Sequence, residues 1–122
     1  MKRILLCLMV ALFATGCLFA KNNDEKMNVM SYNIRYDNSG DKDNQWKFRR
    51  DFAADLVKFH EADVFGAQEV LNNQLNDLLD RLPEYAYVGV GREDGKTKGE
   101  YAPIFYRKDR FSVEKSGNFW LA

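Results

Sequence analysis

The sequence predicts an α/β fold, with strands and helices alternating along a single domain. Three observations carry that expectation. Short apolar, β-compatible runs begin at Met27 and Ala62. Each is followed by a stretch whose apolar residues recur at helical spacing, Phe48 to Phe59 and Leu71 to Leu82. Clusters of turn formers punctuate the rest. With 122 residues there is room for one core. A hydrophobic content of 46% with 14% aromatics excludes a disordered chain. Eighteen basic residues balance eighteen acidic ones, which excludes binding nucleic acid or an anionic membrane by bulk positive charge. Any anion must be met locally.

Residues 1–16 read as a signal peptide. Lys2 and Arg3 precede the uncharged run Ile4 to Phe13, which is too short to span a bilayer as a helix. Ala14-Thr15-Gly16-Cys17 resembles a bacterial lipobox, so residues 17–26 are expected to be a lipidated Cys17 and a tether, with the lipid attaching the protein to a membrane of the cell envelope. Ala14 stands where Leu is usual, and cleavage after Ala20 is the alternative, giving a periplasmic or secreted protein. On either reading Cys7 leaves with the signal and Cys17 is lipidated or removed, so neither a disulfide nor a thiol catalyst is expected. Loss of Lys2 and Arg3 leaves 16 basic against 18 acidic residues, a formal charge of −2. Lys21 to Lys26 has no apolar residue, as suits a tether.

From residue 27 to 122 the elements follow in order. Met27 to Tyr32, apolar on both faces, reads as a strand buried between layers. Asp37 to Asn44 is dense in turn formers, and Asn44 can cap a helix from about Gln45 to His60. The apolar stripe of that helix is Phe48, Phe52, Leu56 and Phe59, and Arg49, Arg50, Asp51, Asp55 and Lys58 read as its solvated side. Ala62 to Gln68 is a strand expected to run parallel to the first. Leu71, Leu75, Leu78, Leu79 and Leu82 mark a second helix, stopped by Pro83. Tyr85 to Gly91 reads as a strand, Arg92 to Gly99 as a polar turn, and Ala102 to Arg107 as a strand antiparallel to it. Phe111 to Val113 and Gly117 to Leu121 give further strand signals.

Chemistry concentrates in four segments. Tyr32-Asn33-Ile34-Arg35 puts an amide where the first strand ends, and Gln68-Glu69 puts a carboxylate at the end of the next. Ligands of α/β sheets bind at that edge, where two oxygen donors suit a hard cation such as Mg2+. The others are Gly89 to Gly95, containing Arg92, and Gly99-Glu100-Tyr101-Ala102-Pro103-Ile104-Phe105-Tyr106-Arg107. Each residue also has a plainer explanation. Asn33 suits a turn, Glu100 an edge-strand charge, Arg92 a solvated loop and His60 a helix end; Glu69, beside an apolar run, needs a partner. Two motifs are rejected. Trp46 and Phe52 occupy the Gly and Glu positions of a calcium loop starting at Asp41, and Gly89-Val90-Gly91 lacks the third glycine of a dinucleotide fingerprint.

In this order the segments resemble the endonuclease/exonuclease/phosphatase family of metal-dependent phosphohydrolases. The resemblance covers Met27 to Ala122 and implies the N-terminal part of a two-sheet, four-layer α/β sandwich of the deoxyribonuclease-like type, with the active site at its top. It implies that Asn33 and Glu69 are metal-site residues for Mg2+ or Mn2+. It makes Glu100 the catalytic-site acid that orients a histidine, and leaves Arg92 a candidate for substrate phosphate. The family's catalytic His, Asp-x-Asn and Asp-His motifs are not in this sequence, and His60 does not match the catalytic position. The chain is therefore expected to be the N-terminal half of an exported phosphoester hydrolase, inactive alone. Without a second sheet it would expose the strands at Met27, Val64 and Tyr85 and leave edges at Ile104 and Phe119. A non-catalytic lipoprotein or truncated remnant is the alternative. With a formal charge of −2, small or lipid-linked phosphoesters are favoured over long nucleic acid as substrates, and no protein partner is inferable.

Overall fold

The computed structural model describes residues 26–121. The expected signal peptide, Cys17 and nearly all of the tether lie outside the described residues. The elements are β1 (Val29–Asn33), α1 (Trp46–Phe59), β2 (Val64–Gln68), α2 (Asn72–Arg81), β3 (Tyr85–Val88) and β4 (Ile104–Arg107). The four strands form one sheet in the order β1-β2-β4-β3. β1 and β2 are parallel, with Asn33 paired to Gln68, and β4 runs antiparallel to both β2 and β3. The predicted α/β class and the parallel first pair are borne out. A sheet layer with a helix layer on one face is one half of the deoxyribonuclease-like sandwich.

The alternation of each strand decides which face meets the helices. Met30, Tyr32, Phe65, Ala67, Tyr85 and Phe105 pack toward α1 and α2 in one cluster with Trp46, Ala53, Ala54, Val57, Leu75, Leu78 and Leu82. Phe65 stacks on Phe105 at 4.5 Å between ring centroids and meets Tyr85 edge-on at 5.6 Å. Val29, Ser31, Val64, Gly66 and Ile104 occupy the opposite face, and among them Val29 and Ile104 are exposed. β1 is thus covered on one side only among the described residues, not buried between two layers. Tyr85 also differs from expectation: it lies on the helix side and is buried. Ile104 is no sheet edge, since β4 is paired on both sides and the edge strands are β1 and β3.

α2 matches its sequence signal, but α1 does not. Its buried residues are Trp46, Ala53, Ala54 and Val57, while Phe48, Phe52 and Phe59 are 62%, 69% and 79% exposed. The small Ala53 and Ala54 lie in the core cluster and α1 packs closely on α2, with the Trp46 Nε1–H donated to Asp77 of α2 at 2.7 Å. Asn44 does not cap α1, because residues 39–44 coil into 3-10 turns and Gln45 takes the cap position with no side-chain bond. The strand signals at Phe111–Val113 and Gly117–Leu121 are not realised; both segments are irregular and largely exposed. Apolar alternation there finds no neighbouring strand among the described residues to pair with.

Candidate active site

Two parallel strands that end side by side bring their next residues together. Asn33 closes β1, and Glu69 follows directly on β2. The Asn33 Nδ2 donates to Glu69 Oε1 at 2.9 Å, and the Tyr36 N–H donates to Oε2 at 3.3 Å. Asn33 Oδ1 in turn accepts the Arg35 N–H at 2.9 Å. These two bonds, with the Arg35 charge nearby, hold the Glu69 carboxyl below its usual range and keep it ionised. Arg35 and Glu69 both have left-handed backbone, at φ 60° and 58°. Such strain in non-glycine residues clusters where a fold aims side chains at a site.

Glu100 arrives from the other direction. Val70 and Tyr101 form an isolated antiparallel bridge, with the Tyr101 N–H donated to Val70 O at 2.7 Å; that register sets Glu100 opposite Leu71, and Glu100 and Glu69 line the same cleft. The turn before it is tightly closed. Asp94 Oδ1 accepts the Lys96 and Lys98 amides at 2.8 and 2.9 Å, and a Cβ on Gly91 would stand 2.3 Å from Lys98 O. The turn places Arg92 against Glu100, with a backbone bond at 3.1 Å and an Nη1–Oε2 contact at 3.2 Å. Gln68, Glu69, Val90, Arg92, Glu100 and Trp120 line one open cleft of about 410 Å3. Trp120 is held there by its Nε1–H on Arg92 O at 2.8 Å.

The structure therefore brings Glu69, Glu100 and Arg92 into one cleft and hydrogen-bonds Asn33 to Glu69 behind it. His60 is not among them: it lines a separate cleft with Met27 to Ser31, where β1 begins, at the opposite end of the strands. The donor set fits a hard cation. Each Glu69 oxygen accepts one hydrogen bond and keeps further lone-pair capacity, and the Asn33 Oδ1, which accepts the Arg35 N–H, keeps one more, a sparse oxygen set of the kind that Mg2+ accepts while retaining water. Among the described residues no group of three or more His, Cys, Asp or Glu converges into a fuller cage.

Sequence reasoning missed two residues. Arg49, read as solvated, donates to Asn44 O at 2.6 Å, Ile34 O at 2.8 Å and Arg35 O at 3.3 Å, so it staples the loop after β1 to α1. Gln74 is fully buried. Its signal was legible, since a glutamine three residues after Leu71 and one before Leu75 falls within the leucine stripe of α2.

An α/β sheet with an ionised carboxylate and an amide at adjacent strand ends is the arrangement that the resemblance to the endonuclease/exonuclease/phosphatase family implies. No protein-family model matches the sequence, and no curated protein matches it. Solved structures do. An endonuclease/exonuclease/phosphatase from Bacteroides vulgatus is 56% identical over 75% of this chain and 35% of its own, with a TM-score of 0.74. A family protein from Bacteroides thetaiotaomicron is 45% identical over 77% of this chain and 35% of its own, with a TM-score of 0.75. A mannosyl-6-phosphatase from the same species is 44% identical over 78% and 36%, with a TM-score of 0.76. The chain belongs to the endonuclease/exonuclease/phosphatase family, and it spans about a third of the length of the solved relatives it matches.

Proposed function

We propose that these residues form one side of the active site of an exported, lipid-anchored, metal-dependent hydrolase of small phosphate esters. The observation that carries the reading is the Asn33–Glu69 hydrogen bond of 2.9 Å across two parallel strand ends, opening on a cleft that also holds Glu100 and Arg92. Asn33 and Glu69 would hold Mg2+ or Mn2+, and when bound the cation supplies charge stabilisation at a phosphoryl oxygen. The bonds from Asn33 and Tyr36 keep Glu69 ionised and aimed, so it does not have to lose a proton on meeting the metal.

Arg92 is exposed and contacts only one oxygen of Glu100, so its guanidinium is free to turn to a substrate phosphate. Glu100, by its place in the motif, would orient the histidine that activates water. His60 lies at the opposite end of the strands, so it is not the histidine that this reading calls for. The mannosyl-6-phosphatase neighbour supports a sugar phosphate or similar small ester, and a formal charge of −2 supports the same choice over long nucleic acid. Attachment would be through lipid on Cys17.

Calorimetric titration of the folded chain with Mn2+ or Mg2+ tests the proposal. Weak, saturable binding that is lost in Glu69→Gln is expected. Binding of equal strength in that variant would remove Glu69 from the site and leave the cleft as a feature of a non-catalytic lipoprotein.

A further inference from the structure

Gln74 sits where a leucine would suit the core, yet every polar atom of its side chain is engaged. Its Nε2 donates to Arg35 O at 2.9 Å, and its Oε1 accepts the Asp37 N–H at 3.0 Å and the Leu71 N–H at 3.1 Å. Capping α2 requires only the Leu71 bond. The other two reach across to the loop after β1 and bracket Tyr36, whose N–H binds Glu69. Leu71 is two residues beyond Glu69, and Arg35 is two beyond Asn33, whose side chain it holds by its own N–H. One buried side chain thus grips both segments that carry the candidate ligands.

We propose that Gln74 is a positioning residue for the Asn33–Glu69 pair, which fixes the spacing of the two side chains through the backbone of Arg35, Asp37 and Leu71. The inference rests on reading that pair as cation ligands. Left-handed Arg35 and Glu69 persist only where their surroundings over-determine them. Arg35 O has a second donor in Arg49 Nη2 at 3.3 Å, but among the described residues no other bond is made to the Asp37 N–H. Removing Gln74 therefore leaves a half-buried donor without a partner, which is relieved only if the loop moves toward water and takes the Tyr36 N–H away from Glu69.

The test uses the full chain and two readouts, Mn2+ affinity by calorimetry and hydrogen exchange of the Tyr36 amide. Groups that hold metal ligands in place typically cost 10–100-fold in affinity when replaced. Gln74→Met, close in shape, is expected to weaken Mn2+ binding by about that factor and to speed Tyr36 exchange. Gln74→Glu keeps the acceptor but loses the donation to Arg35 O and buries an ionisable carboxyl against that oxygen, so a loss of affinity is expected from it as well, and it substitutes for Gln74→Met should that variant not fold. Leu78→Ala, one turn further along α2 and without any of the hydrogen bonds that Gln74 makes to the loop, is destabilising but is expected to leave the affinity of the folded protein unchanged.

Parent-like affinity in the Gln74 variants, or an equal loss in Leu78→Ala, overturns the proposal. If the parent itself binds no Mn2+, the cation reading of the site fails instead. Tyr36 exchange then decides alone: faster exchange in the Gln74 variant than in Leu78→Ala supports the clamp, and equal rates overturn it.

Discussion

Asp63 is the clearest case of one side chain setting the geometry of several elements. Its buried carboxylate accepts the Asn28 N–H at 2.8 Å and pairs with Arg110, while its backbone oxygen accepts the Arg107 N–H at 3.0 Å. It therefore ties the start of β1 and the end of β4 to the start of β2. The Asn28 amide, followed by Arg110, holds its carboxyl below the ordinary carboxylate range. A folded pKa below the unfolded one contributes stability above the unfolded value, lost as pH falls through the folded value. Asp63→Asn is expected to cost about 1–3 kcal/mol at pH 7. The difference from the parent should shrink as pH drops below about 4, because the parent then becomes protonated too. Urea denaturation of both proteins from pH 7 to pH 3 checks the size and the sign. Asp63 carried no signal in the sequence, whereas Asn33 and Glu69 did, because polar residues at the ends of apolar strands mark the sheet edge where ligands bind.

At the scale of elements, α1 and α2 separate what periodicity can decide from what it cannot. In α2 all the leucines lie on one stripe, so only one face can be buried, and Leu75, Leu78 and Leu82 are. α1 offers two faces, one with three phenylalanines and one with Trp46, two alanines and a valine. Hydrophobic mass favours the first, and close packing in the shared core, chiefly against α2, selects the second. The substitutions that follow are distinct. Leu78→Ala should cost about 2–5 kcal/mol by leaving a cavity under the sheet. Phe52→Ser, on the exposed stripe, should change stability by no more than about 0.5 kcal/mol. Denaturant midpoints compared at a common slope measure both, and a large loss for Phe52→Ser would mean that this stripe is packed in solution.

For the molecule as a whole, the described residues contain a sheet with one covered face and a cleft that supplies carboxylates but no histidine. The chain by itself is therefore expected not to hydrolyse bis-p-nitrophenyl phosphate, since general-base activation of water typically contributes 10²–10⁴-fold and nothing in the cleft replaces it. Mg2+-dependent turnover by purified monomer that disappears in Glu69→Gln would contradict this. Anchoring is a separate matter. The parent protein is expected to partition with membranes and Cys17→Ser to be released, because acyl chains and not a spanning segment would hold it. Among the described residues no helix is long and apolar enough to cross a bilayer. Identical fractionation of the two proteins would favour cleavage after Ala20.

The sequence by itself determined the α/β class, the parallel pairing of the first two strands, the face of α2, and the placing of Asn33 and Glu69 at strand ends. All of these follow from local periodicity or from residues placed at strand ends, information that lies within a dozen neighbouring positions. Tertiary structure decided that α1 turns its alanines inward, that β4 inserts between β2 and β3, and that Gln74 and Arg49 hold the loop bearing the site. These depend on partners far along the chain, such as Tyr106 for Val64, Arg35 for Gln74 and Ile34 for Arg49. A side chain's role there is set by which backbone groups folding leaves without a partner, and no local pattern records that.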